Sequence, residues 1–176
     1  MKFQSFDIHL KKIILHFKNF GCFYIIIVLM VTKSITATTV GINAYKIEVE
    51  VDVNNSLPSM CIVGLPDNAV NEARERVHSA IKNSGFTFPT GKVIVNLAPA
   101  DIRKEGTNFD LSIAICILKE QGINIPDDLE IAFLGELSLD GSLRKINGVL
   151  PLVAGLQESG IKSVFVPGDN AAECSV

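Results

Sequence analysis

A β-branched run, Lys92-Val93-Ile94-Val95, passes through a polar turn into an almost wholly apolar segment, Phe109 to Leu118. A helix that is apolar on all sides has no face to give to water, so it has to be buried in a core. A buried strand feeding a buried helix is the unit of an α/β fold, and the rest of the chain must be arranged to cover it. The turn between them, Asn96 to Leu111, is polar and contains Gly106. Turns between a buried strand and a helix N-terminus are where such folds often place chemistry.

The flanking sequence agrees with that class. Thr36 to Val40 and Tyr45 to Val53 are β-rich, with Gly41-Ile42-Asn43 as a tight turn between them. Ile47, Val49, Val51 and Val53 alternate with Glu48, Glu50 and Asp52, the period of a strand with one wet face. Met60 to Val63 reads as a third strand. Asp67 to Ser84 reads as an amphipathic helix: Val70, Ala73, Val77, Ala80 and Ile81 share a face, and Gly85 suits its end. Further on, Ile131 to Leu137 and Ser142 to Lys145 flank Asp140-Gly141, a hairpin signal. Gly148 to Glu158 reads as a third helix and Ser163 to Val166 as a last strand. The tail from Asp169 to Val176 is expected to add no element. The order predicts a mixed α/β (α+β) fold in which antiparallel hairpins lie beside crossover helices.

Apolar content of 48% and charged content of 20% place the chain among globular proteins rather than disordered ones. A net charge of −3 makes no global case for nucleic-acid binding. The charge is uneven, however: residues 1–29 carry a net of +3 and residues 30–176 a net of −6. The N-terminal stretch places Lys11, Lys12, His16 and Lys18 before an apolar run from Phe20 to Val31. It can be read as a signal or anchor, as a helix packed on the domain, or as sequence upstream of a true start at Met30. The run is shorter than the roughly 20 residues a spanning helix needs. Cys22, Cys61, Cys116 and Cys174 are far apart with no CxxC pair, which fits reduced thiols in a cytoplasmic protein better than a disulfide framework or a zinc site.

Three chemistries can be tested against the residues. No G-x-x-x-x-G-K-[ST] loop occurs, and Gly91-Lys92 is followed by Val93, so ATP binding by that route is excluded for this chain. A Ser/His/Asp arrangement would have to use His78, which reads as an exposed helix histidine. In the turn, the N–H groups of Gly106, Thr107 and Asn108 could hold an anion at the helix start; the plainer reading is that Thr107 or Asn108 caps the helix. Arg103 and Lys104 could meet a phosphate, but Asp101, Glu105 and Asp110 lie close by. Asp110 also complements the helix dipole.

Taken together, Val40-Gly41-Ile42-Asn43-Ala44, Ile62-Val63-Gly64-Leu65-Pro66-Asp67, Ala73-Arg74-Glu75-Arg76-Val77, Ile81-Lys82-Asn83-Ser84-Gly85, Val95 to Leu111 and Gly135-Glu136-Leu137 stand in the order of a known family. Thr39 to Pro167 resembles the N-terminal domain of the ComM/YifB proteins, bacterial magnesium-chelatase-like AAA+ ATPases. The resemblance implies three segments: an atypical extension over 1–29, a Lon-protease-like domain over 30–168, and over 169–176 the start of a linker to an AAA+ module that is absent here. It favours Met30 as the start.

This domain is in turn similar to the Lon proteolytic domain, whose Lys-Asp-Gly-Pro-Ser turn falls on Lys104-Glu105-Gly106-Thr107-Asn108. The nucleophile position is then Asn108 and the lysine-base position Leu150, so the resemblance implies a Lon-like fold with no catalytic residues. For the full-length family it implies a homo-hexameric DNA motor that drives branch migration in natural transformation. ATP and Mg would bind only with the missing module, and no small-molecule substrate is expected. Arg74, Arg76, Lys82, Arg103 and Lys104 are the candidates for DNA contact. A chelatase-type subunit and a Lon-like peptidase are the alternatives.

Overall fold

The computed structural model describes residues 31–125 and 130–174. All named elements belong to one compact unit, Thr32–Val176. The extension expected over 1–29 lies outside the described residues. The elements are β1 (Thr32–Val40), β2 (Asn43–Asn54), β3 (Ser59–Val63), α1 (Asn68–Asn83), β4 (Lys92–Ala98), α2 (Asp110–Glu120), β5 (Ile131–Phe133), β6 (Glu136–Leu137), β7 (Leu143–Arg144), α3 (Val149–Glu158), β8 (Ser163–Phe165) and a 3-10 helix (Gly168–Cys174).

Six strands form one mixed sheet in the order β3-β4-β2-β1-β5-β8, and β6 and β7 form a separate hairpin. β2 pairs antiparallel with both β1 and β4; the other neighbours in the sheet are parallel. This is the mixed α/β architecture expected of a Lon-like domain.

Alternation along the strands distributes two cores. On one face Ile47, Val49 and Val51 of β2 join Val93, Val95 and Leu97 of β4 and the apolar sides of α1 and α2. On the other, Ile35 and Ala37 of β1 and Ala132 of β5 meet Val149, Leu152 and Leu156 of α3. α3 can approach β2 closely because of Gly155: a Cβ there would lie 2.5 Å from the Ala44 methyl carbon.

β1 begins four residues before its expected start. Its face toward α2 carries Thr32, Ser34, Thr36 and Thr38 rather than apolar side chains, so no wet and dry alternation marks it. That face is buried all the same: the Ser34 hydroxyl reaches the Ser112 hydroxyl and carbonyl on α2 at 2.7 and 2.8 Å. The expected single strand from Ile131 to Leu137 is broken at Leu134-Gly135. There the Leu134 N–H donates to Phe165 O at 2.9 Å and the Gly135 N–H to Asn108 O at 3.1 Å, so the chain leaves the sheet and enters the hairpin.

The tail does contain an element, contrary to the expectation for 169–176. Asn170 is fully buried in the 3-10 helix, and its side-chain amide both accepts from Ile146 N–H and donates to Ile146 O, each at 2.9 Å. No helix among the described residues is long and apolar enough to cross a membrane.

Candidate functional site

The turn after β4 is built by pairing two distant sequence motifs. β3 leaves the sheet through Gly64, at φ +101, where a Cβ would lie 2.1 Å from Leu97 O; only glycine can pass β4 so closely. Leu65 follows with φ +58, a left-handed conformation uncommon outside glycine. The chain is then held against the turn by two backbone bonds, Lys104 N–H to Leu65 O at 3.1 Å and Asp67 N–H to Lys104 O at 2.9 Å. Asp67 completes the joint. One carboxylate oxygen accepts from Val70 N–H at 2.8 Å and caps α1; the other accepts from Gly106 N–H at 3.3 Å. The Gly106 N–H is therefore already committed to a carboxylate and does not serve the anion site suggested by the sequence.

Neither Thr107 nor Asn108 caps α2. Phe109 is its N-cap residue and makes no side-chain cap bond. Asn108 is turned inward, 8% exposed, and its amide donates to Ala37 O of β1 at 2.8 Å. Its own carbonyl accepts from Gly135 N–H. Asn108 thus ties β1, α2 and the start of the β6–β7 hairpin together.

Asp110, one residue into α2, is completely buried. It accepts from Arg76 Nε at 2.6 Å and Nη2 at 3.0 Å, and from Leu137 N–H at 3.1 Å. Burial pushes its carboxyl above the ordinary value, and the hydrogen bonds from Arg76 and Leu137 oppose that rise. On the other side the same contact raises the Arg76 guanidinium. Dipole complementation alone would have left this carboxylate in water; the structure makes it the buried hub of α1, α2 and β6.

A small cleft of about 170 Å³ lies beside the turn, bounded by Thr39, Glu105, Gly106, Thr107, Asn108, Ile146, Asn147 and Leu152. These residues supply hydroxyls, amides and one carboxylate, but no amine or imidazole to act as a base. Leu150 is half exposed on the first turn of α3 and is not among them. A nucleophile needs an adjacent base or a lowered pKa to act, and the cleft presents neither a serine nor a lysine.

Of the five basic residues suggested for DNA contact, the structure commits two to internal partners. Arg76 is spent on Asp110 and on Ala69 O, with 18% of its side chain exposed. Lys104 is fully buried, its ammonium donating to Pro99 O, and desolvation pushes its pKa below the ordinary lysine value. Helical or loop position suggests an outward direction for both; the partners that draw them in, Asp110 and Pro99 O, come into reach only on folding. Arg74, Lys82 and Arg103 are exposed, Arg103 alongside Glu105 at 3.0 Å. His78 is not the exposed residue expected: it is half-buried, edge-on to Phe88 with ring centroids 4.6 Å apart. Among the described residues no group of three or more His, Cys, Asp or Glu side chains could hold a metal ion. Asp67 caps α1, in keeping with its place at the expected helix start, while its second bond, from Gly106, and the buried role of Asn170 are not expected from the sequence. The i, i+3 spacing of Asp67 to the helix start is a readable signal for one of its roles; for Asn170 the sequence carries none.

Residues 49–170 match the family described as subunit ChlI of Mg-chelatase. An uncharacterized protein of Salmonella typhimurium, YifB, is 42% identical over 139 residues, covering 78% of this chain and 27% of the relative. The competence protein ComM of Haemophilus influenzae is 39% identical over 139 residues, with the same coverage. Lon protease 2 of Bacillus subtilis is 29% identical over 96 residues, 54% of this chain and 17% of that protein. The chain thus spans about a quarter of the length of the YifB and ComM relatives.

Proposed function

We propose a function from a plain starting point: the chain belongs to the family of the Mg-chelatase subunit ChlI, in the company of YifB and ComM. It serves as a non-catalytic, Lon-like N-terminal domain of a ComM-like AAA+ protein that works on DNA, and branch migration during natural transformation is the activity it assists. Its part is contact, with DNA or between subunits of a homo-hexamer, while ATP and Mg bind to a module outside this chain.

One observation carries the non-catalytic half of this reading. Asn108, which the Lon resemblance sets at the nucleophile position, is bound to Ala37 O, and Leu150, which it sets at the base position, is a half-exposed aliphatic side chain that does not line the cleft. Neither residue can supply a proton acceptor or an acyl-accepting oxygen. The DNA half rests on the competence name of one relative and on Arg74, Lys82 and Arg103 remaining at the surface.

The test is to replace those three with glutamine together in a longer family member and to titrate DNA at several salt concentrations. Every phosphate that one of these side chains neutralises adds about one to the slope of log affinity against log salt, and the variant forfeits that share. An unchanged affinity and slope would remove DNA contact from this domain. Labelling of this chain by a serine-reactive probe would revive the peptidase reading. The family description itself favours a second reading, a chelatase-type subunit, and an assay of metal insertion into a porphyrin with the complete complex decides it.

A further inference from the structure

Several cations of this fold are neutralised where they stand. Arg76, Arg103, Arg144 and Lys145 each lie against a carboxylate. Arg74 and Lys82 do not. Among the described residues neither pairs with an acid, and Arg74 Nε donates to Asn71 O, inside its own helix, at 2.9 Å. With His78 between them they stand at i, i+4 and i+8, along one side of α1. The Arg74 end of that row borders a groove of about 320 Å³ between α1 and β3, whose walls also include Met60, Glu75, His78, Phe88 and Pro89. His78 and Phe88 meet edge to face, and such a pair leaves the faces of one ring uncovered by the other. The volume lies at the small end of the roughly 300–1,000 Å³ of small-molecule clefts. It suits one flat ring system, not a helix or a folded partner.

We propose that this groove takes one unstacked base of single-stranded DNA, while the phosphates of the strand pass along Arg74 and Lys82. The inference rests on the DNA-contact reading above and narrows it to a single strand held on one side of α1. Cations without an acid partner attract a polyanion whatever its sequence. Aromatic side chains on which bases stack are the second component of a single-strand site. A duplex supplies phosphates but keeps its bases stacked inside, so it engages Arg74 and Lys82 and leaves the groove empty.

Glu75 gives the site a preference among bases. A carboxylate next to Arg74 works against phosphate, but it accepts hydrogen bonds from the amino group of cytosine. Adenine and guanine carry amino groups as well, and thymine has none. The base in the groove is therefore an amino-bearing one.

The chain contains no tryptophan, so Phe88→Trp puts the only indole of the full 176-residue chain in the groove. Oligo(dC) is expected to quench its emission saturably, and oligo(dT) to bind about tenfold more weakly. Glu75→Gln narrows that difference, because an amide can also donate to thymine O4. A duplex of the same length binds without quenching. Deoxycytidine monophosphate, at the same nucleotide concentration, leaves the emission unchanged, because one phosphate cannot engage both cations. Phe88 packs on the core, so circular dichroism checks the fold, and Pro89→Trp on the same wall repeats the measurement. DNA binding that falls with Arg74→Gln and Lys82→Gln but leaves the emission of both tryptophan variants unchanged overturns the base site and leaves the DNA-contact reading standing. Equal quenching by the mononucleotide overturns it in favour of a nucleotide pocket, and equal affinity for oligo(dC) and oligo(dT) overturns the role of Glu75. A chain that binds neither single strand nor duplex removes the DNA-contact reading, and this site falls with it.

Discussion

Replacing Arg76 with methionine keeps most of the apolar stem and removes the charge, leaving Asp110 fully buried with only the Leu137 N–H as a donor. Breaking a buried ion pair from one side costs about 3–5 kcal/mol, because the remaining charge is neither solvated nor paired. Arg76 keeps 18% of its side-chain surface, and water entering by that route places the expected loss near the lower end, about 3 kcal/mol. An exposed pair such as Lys162–Glu130 sets the contrast, at about 0–1 kcal/mol. In urea, with a slope of about 1–3 kcal/mol/M, the R76M midpoint falls by roughly 1–3 M.

The pH dependence gives an independent check on the same pair. The folded-state pKa of Asp110 lies above its unfolded value. Its stabilising contribution is therefore largest at low pH, where the carboxyl is neutral, and is lost as pH rises through the folded pKa. Removing Arg76 takes away the opposing cation and raises that pKa further. The R76M penalty should accordingly shrink as pH falls from 7 toward 4, and adding Asp110→Asn, which still accepts from Leu137, should recover part of it at pH 7. A penalty below about 1 kcal/mol, or one independent of pH, would refute the account of Asp110 as a buried, charge-paired hub.

Three further outcomes are expected. Asn108→Ser does not restore hydrolysis, since Leu150 supplies no base, and it leaves Ala37 O without its donor; thermal unfolding should show a loss of about 1–3 kcal/mol while a serine-reactive probe leaves the chain unlabelled. The folded-state pKa of Lys104 is depressed below 10.5, so wild-type stability should rise with pH in the window just beneath 10.5, where the unfolded chain holds the extra proton. Lys104→Met should remove that slope in denaturation curves taken across the window. Gly155→Ala gains up to about 1 kcal/mol of helix propensity but drives a methyl to 2.5 Å from Ala44, an overpacking cost of about 1–3 kcal/mol; a net decrease in denaturant midpoint is expected, and a net gain would show that α3 can shift away from β2 freely.

Periodic features are legible in the residues themselves. α1 is readable because Val70, Ala73, Val77, Ala80 and Ile81 repeat at helical spacing, and all five are buried. β2 is readable because Ile47, Val49 and Val51 alternate with acids; its wet face is half-occupied, with Lys33 bridging Glu48 and Glu50 at 3.0 and 2.9 Å. β1 extends beyond its expected start because its buried face is built of hydroxyls, and burial of a polar face leaves no pattern in hydropathy. Asp140-Gly141 announces the hairpin, but not that Gly141 docks on Ser84 or that Asn83 holds Leu139 O at 2.7 Å.

The turn from Asn96 to Leu111 shows the division clearly. Residue identities alone determine that the chain has no serine at 108, no lysine at 150 and no P-loop, because chemistry that needs a group cannot proceed without it. They also determine the class of fold, because the period of apolar residues chooses between helix and strand locally. Tertiary structure alone decides which polar side chains face water. Arg76 and Lys104 look like surface cations in one dimension, and each is drawn inward by a partner far away along the chain or by a carbonyl set by the path of a turn. A side chain's environment is a sum over neighbours in space, and those neighbours come from β1, α1 and β6 at once.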